Sequence, residues 1–157
     1  MTGPVTSAFE HVREQEAKRE EGFHPDEVET PDPLEVAGAL RVPVFERGTA
    51  VRTKADALEE FILVSAHWCG EMHAERRQLM AEGAAAQDEW DTLQGWEVHR
   101  RGKTEASVER AKADTRPDLW QKLQSTRRRV RSLTEEIARL DRDYEKASRA
   151  YTIISAG

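Results

Sequence analysis

Eleven positions near the carboxy terminus restrict the fold more than anything else in the chain. Leu119, Leu123, Thr126, Val130, Leu133, Ile137, Leu140, Tyr144, Ala147, Tyr151 and Ile154 follow one another in alternating steps of four and three, and only Thr126 breaks the largely apolar run. A 3.5-residue period lays these side chains along one stripe of an α-helix. The stripe escapes water only when another helix covers it. Thr115-Arg116-Pro117-Asp118 supplies a start signal. Thr115 can cap, Pro117 suits the first turn, and Asp118 faces unpaired N–H groups.

A covering helix is available upstream. From Thr53, a capping residue followed by Asp56, apolar or small residues recur at helical spacing: Leu58, Ile62, Ser65, Cys69, Met72, Leu79, Gly83, Ala86, Trp90 and Leu93, interrupted by Arg76. Gly83-Ala84-Ala85-Ala86 is a small-residue patch that lets another backbone come close. The helix is expected to fade near Arg101-Gly102. Thr104–Ala113 then reads either as a separate helical segment or as a continuation through Gly102.

Flanking charges favour one arrangement of the two helices. With Val130 at heptad position a, Arg129, Glu136 and Asp143 fall at g, and Thr134, Asp141 and Ser148 at e. A parallel homodimer would set Glu136 against Asp141, like against like. An antiparallel hairpin with the Leu58–Leu93 helix is therefore preferred to a parallel zipper. Val130, Leu133, Ile137, Leu140, Tyr144 and Tyr151 are the expected helix-packing and oligomerisation residues, and self-association of the hairpin is expected.

The rest of the chain differs in character. Residues 1–33 are polar and acidic, with Pro25, Pro31 and Pro33 among carboxylates, and read as a flexible arm able to contact a protein partner; Ser7–Glu21 can form a short helix. In residues 34–53, Leu40–Phe45 is strand-like, Glu46-Arg47-Gly48 turn-like, and Thr49-Ala50-Val51 could pair back. A small β-hairpin or an extended segment is expected there, with Pro43 limiting the first run to an edge. Residues 54–157 form the helical hairpin or coiled-coil domain. The fold class is thus all-α, with a long helical hairpin, an acidic arm and the small β-hairpin.

Composition excludes several functions. Charged residues reach 34%, too many for a thick globular core but suited to long helices with one apolar stripe. Cys69 is the single cysteine, so no intrachain disulfide forms and a reducing compartment is the default. The longest apolar run, Phe61–Val64, is far short of the ~20 residues a membrane span needs. Met1-Thr2-Gly3-Pro4 opens no basic-then-apolar leader, so no signal peptide is expected.

Few residues form a chemical constellation. Gly102-Lys103-Thr104 resembles the end of a phosphate loop, but position 97, where that motif needs glycine, is Glu97. His67, Cys69 and His73 stand at helical steps of two and six, which do not bring three side chains to one face, so no metal is expected. No catalytic residues and no cofactor are expected. Two or three thin helices offer little of the concave pocket that catalysis requires.

Charge is distributed unevenly. Residues 1–60 hold seven Lys/Arg against fourteen Asp/Glu, whereas Arg100–Arg131 holds eleven against four. Arg100, Arg101 and Lys103 cluster near the end of the first long helix, and Arg127, Arg128, Arg129 and Arg131 on the last. A hairpin brings these clusters toward one end, with Trp96 and Trp120 nearby. Cations that follow phosphates and aromatic faces that stack on bases suit single-stranded nucleic acid. The alternative is that the tryptophans are core and the arginines a solvated face.

The layout resembles UvsY-type bacteriophage recombination mediators over roughly residues 54–155. The shared features are a long Ala/Glu/Arg-rich helix (Ala55–Arg101), a Lys/Thr-containing connection (Gly102-Lys103-Thr104), a closing heptad helix (Pro117–Ala150) and the tail Tyr151-Thr152-Ile153-Ile154-Ser155. The resemblance implies a homo-oligomer that binds single-stranded DNA and helps load a recombinase, in the cytoplasm of a host cell. Family members carry their DNA-binding cations on the first helical region. Here Met72–Leu93 has only Arg76 and Arg77. The first expectation is therefore a non-enzymatic DNA-binding oligomer. The second is a coiled-coil scaffold or adaptor that binds another protein.

Overall fold

The computed structural model describes residues 30–93 and 104–156. Among these residues the protein is all helix and irregular chain, without strands: α1 (Pro33–Ala39), α2 (Val51–Asp91), α3 (Glu105–Thr115) and α4 (Pro117–Ala156). The helical-hairpin reading holds. The expected acidic arm up to residue 29 and the Ser7–Glu21 helix lie outside the described residues.

The β-hairpin expected over 34–53 is replaced by α1 and an extended segment. Asp32 decides this locally, because its Oδ1 accepts the Leu34 N–H at 3.0 Å while Pro33 takes the first helical position. α1 ends at Leu40, whose backbone is extended. The strand-like residues that follow find no partner strand, and Val44 is 95% exposed. The expected turn does form. Glu46 O accepts both the N–H and the hydroxyl of Thr49, at 3.2 and 2.7 Å, and Gly48 takes φ 88°, a left-handed value natural to glycine. With the turn closed at Thr49, α2 starts at Val51, two residues before the expected Thr53.

α3 is a separate segment. Thr104 caps it, its hydroxyl accepting the Ser107 N–H at 3.3 Å. Thr115 does not cap α4 as expected. It is the last residue of α3, and its hydroxyl donates to the Ala111 carbonyl at 2.8 Å. Pro117 explains the shift: it disfavours helical geometry in the residue before it, so the break falls at Arg116, with φ −130° and ψ 72°.

The described residues form two compact units. The first comprises the chain up to His73 together with Glu135 onward, and the second Ala74–Thr134. In the first, Ala37, Leu40, Leu58, Phe61, Val64, Trp68, Met72, Ile137, Leu140 and Ala147 are buried. Phe61, Val64 and Trp68 lie beside the stripe read from the sequence, so this stretch of α2 is covered on a broader arc than a two-helix seam requires. Arg139 ties α1 to this unit. Its guanidinium donates to Ala37 O at 2.7 Å and Leu40 O at 3.2 Å, and it pairs with Glu136 and, at 2.7 Å, with Asp143.

In the second unit, α2 and α4 run antiparallel. Arg76 meets Thr134, Gly83 lies against Thr126, and Trp90 packs on Trp120: numbers rise along α2 as they fall along α4. The steps along α2 are seven residues each, the heptad that the sequence carries. Ala86, Trp90, Leu119 and Leu123 form the core of this unit, with Leu93 and Ala113 against it. α3 closes that end, where Glu109 accepts the Trp90 indole N–H at 3.1 Å and the buried Lys112 ammonium stands 5.6 Å from the Trp90 ring centroid. No described helix is long and apolar enough to cross a membrane.

Of the expected packing residues, Leu133, Ile137 and Leu140 are buried, Val130 and Tyr151 are half-buried, and Tyr144 is exposed.

Candidate functional site

The second unit carries an apolar groove of about 430 Å³. α2 contributes Leu79, Met80, Gly83, Ala84 and Gln87, and α4 contributes Leu123, Thr126, Arg127, Val130 and Arg131. Both sets repeat at helical spacing, so each helix gives one face to the groove. The small residues allow it. A Cβ at Gly83 would stand only 3.3 Å from Thr126 Cγ2, so α4 sits close to α2 here. Met80 is half-exposed in this groove, which presents an open apolar surface. Arg127 and Arg131, one helical turn apart on α4, place two guanidinium groups along it.

Among the described residues, several of the expected nucleic-acid side chains are engaged within the fold. Arg129 turns to Glu75 and grips it with two bonds, Nε to Oε1 at 2.9 Å and Nη2 to Oε2 at 3.1 Å, which cancels its charge. Arg127 donates to Gln87 Oε1 at 2.8 Å, and Arg128 reaches its own helix at Gln124 O. Arg131 is exposed beside the groove. Trp120 is tilted 36° against Trp90 at 5.5 Å between ring centroids, so part of its surface is taken up in packing. Trp96, Arg100, Arg101 and Lys103 lie outside the described residues.

Other cations of the basic middle are also engaged. Arg116 bonds both carboxylate oxygens of Asp118 at 3.1 Å and meets Glu89 of α2 at 3.0 Å. Those carboxylates push the Arg116 guanidinium further toward its charged form, and the Arg116 hydrogen bond lowers the Asp118 pKa. The run of positive charge in the sequence is thus in part an internal set of ion pairs.

A different cluster lies in the first unit. Cys69 and His73, four residues apart on α2, meet Asp141 from α4, with one ligand atom of each within 4.8 Å of the others. The Cys69 thiol donates to Asp141 Oδ1 at 3.3 Å. Burial pushes the thiol pKa up to about 11, helped by the hydrogen bond to Asp141 and by its negative charge. At neutral pH the sulfur stays protonated, the opposite of an activated nucleophile. His67, the third residue of the sequence trio, instead stands edge-on to Trp68 at 5.0 Å. The signal in the sequence was the i, i+4 pair alone. Asp141 was recognisable only as a flanking charge.

No family model, curated protein or solved structure matches the chain.

Proposed function

We propose that this protein is a non-enzymatic binding module whose groove in the second unit receives an acidic amphipathic helix of a protein partner. The observation that carries this reading is the combination of apolar Leu79, Met80, Ala84, Leu123 and Val130 with Arg127 and Arg131 in one groove. A helix laid there buries residues at i, i+3, i+4 and i+7 in the apolar strip. Its flanking carboxylates fall on the two arginines, where charge-assisted bonds fix register and orientation. This reading develops the adaptor expectation from the sequence.

The competing reading is a single-stranded DNA binder, as the resemblance implies. It is less well supported by the geometry because Arg129 is neutralised by Glu75 and Trp120 is packed on Trp90. The two readings separate in one titration. Fluorescence anisotropy is measured with a labelled Leu/Glu amphipathic helical peptide, a Leu/Lys peptide of the same pattern, and oligothymidylate. The acidic peptide is expected to bind, the basic one not. Reversing Arg127→Glu and Arg131→Glu together should weaken the acidic peptide more than about tenfold, as two charge-assisted contacts turn repulsive. Oligothymidylate binding at low salt with indifference to both peptides would replace this reading with the nucleic-acid one.

A further inference from the structure

We propose that Cys69, His73 and Asp141 bind one divalent transition-metal ion, zinc by preference, through a sulfur, a nitrogen and an oxygen atom. The fold brings the three together in two ways. Positions 69 and 73 share one face of α2 because four residues make just over one helical turn. Asp141 is delivered from α4, and its carboxylate already touches the sulfur at 3.3 Å. This proposal is independent of the groove, to which none of the three residues contributes.

Ligand distances fit a small tetrahedral ion. Zinc bonds of ~2.0–2.3 Å at tetrahedral angles put neighbouring ligand atoms roughly 3.3–3.8 Å apart. The Cys69–Asp141 separation is in that range, and all three pairs lie within 4.8 Å. His73 and Asp141 are exposed, so rotation about their side-chain bonds can supply the remaining ~1 Å without disturbing the core.

Donor chemistry selects the ion. A thiolate and an imidazole favour zinc and its late transition-metal neighbours over magnesium and calcium, which take oxygen. Binding exchanges the thiol proton for the metal and releases that proton to solvent. One thiolate and one carboxylate then neutralise the two positive charges. The three protein atoms leave a fourth coordination position for a water molecule, the arrangement of an open zinc site rather than a closed structural one.

The full-length protein, kept reduced, is titrated with cobalt(II) and then with zinc. One cobalt ion per chain should bind with a near-ultraviolet thiolate-to-cobalt charge-transfer band, and zinc should displace it. Cys69→Ser should abolish the band. His73→Ala and Asp141→Asn should each weaken binding at least about tenfold, the least that even outer-shell changes around a metal cost. Because those two side chains are exposed, their variants keep the helical circular dichroism of the parent and remain informative if Cys69→Ser unfolds. Absence of the band in the parent overturns the site. So does zinc affinity unchanged by His73→Ala and Asp141→Asn, which would place the ion elsewhere on the chain.

Discussion

Arg129 of α4 and Glu75 of α2 form a two-point ion pair, with N–O distances of 2.9 and 3.1 Å and each side chain 29% exposed. The pair joins the two helices alongside the Arg76–Thr134, Gly83–Thr126 and Trp90–Trp120 contacts. It also withdraws one arginine from the surface on which a nucleic-acid reading would draw. A double-mutant cycle with Arg129→Ala and Glu75→Ala, followed by urea unfolding, should give a coupling energy of about 1 kcal/mol, at the top of the range for exposed pairs because the geometry is bidentate and half-buried. A coupling near zero would mean that the pair adds nothing to the stability of the α2–α4 packing.

Arg139 should matter more than its place on a charged helix suggests. Removing it leaves the carbonyls of Ala37 and Leu40 without this donor, and Glu136 and Asp143 on one face of α4 without the cation between them. Arg139→Ala is expected to cost about 2 kcal/mol, the scale of hydrogen bonds to a charged group, and to speed tryptic cleavage after Arg41 and Arg47. Arg139→Lys should restore little, because an ammonium cannot reproduce the guanidinium fork. Unchanged cleavage rates in Arg139→Ala would show that α1 is held by burial of Ala37 and Leu40 alone.

The seam was legible in the sequence for a simple reason. A period of 3.5 admits one kind of solution, and Leu133, Ile137 and Leu140 are buried as it demanded. What the period could not encode was the second coat of apolar contacts at Phe61, Val64 and Trp68, because those residues interleave with the stripe and read as its neighbours. The run Leu40–Phe45 misled for a different reason. Its residues favour an extended backbone and keep one, but the return strand expected at Thr49–Val51 is used up by the turn at Glu46–Thr49 and the start of α2 at Val51, so no partner is left to pair with. The pairing within the basic run was not legible, because ion pairs such as Arg129 with Glu75 join residues far apart in sequence, and charge counting sees only one member of each.

Two helical glycines should respond differently to the same substitution. Gly70 has open space where an added methyl group would stand, so Gly70→Ala should stabilise the protein by roughly 0.5–1 kcal/mol through backbone entropy. Gly83→Ala meets Thr126 Cγ2 at 3.3 Å, and its gain should be smaller or reversed. Thermal unfolding of the two variants side by side checks the order. An equal gain at both sites would mean that α2 and α4 do not approach closely at Gly83.

Cys69 should be a slow thiol in the metal-free protein. With its pKa pushed up from 9.0 to about 11, the thiolate fraction at pH 8 falls about a hundredfold, partly offset by the greater nucleophilicity of a more basic sulfur. Alkylation by iodoacetamide is expected to run on the order of tenfold slower than for a free cysteine and to rise until pH passes the shifted value. The same shift bears on stability. The raised pKa favours the protonated thiol in the folded state, so its contribution is complete below about pH 9 and is lost as pH rises toward about 11. Asp141→Ala removes both the hydrogen bond and the negative charge, two of the three causes, and should accelerate alkylation at fixed pH. No acceleration would leave burial as the sole cause.

The groove and its two arginines exist only if α2 and α4 lie antiparallel with Gly83 against Thr126, and a disulfide tests that contact most directly. In a Cys69→Ser background, Gly83→Cys and Thr126→Cys are combined and oxidised at low protein concentration. Their β-carbons are expected to fall near the ~3.5–4.5 Å that a disulfide spans. A bond within one chain, seen as a compact monomer on non-reducing electrophoresis and mapped by mass spectrometry to positions 83 and 126, is the expected result. Bonds formed only between chains, or none at all in folded protein, would contradict the hairpin on which the proposed binding groove is built.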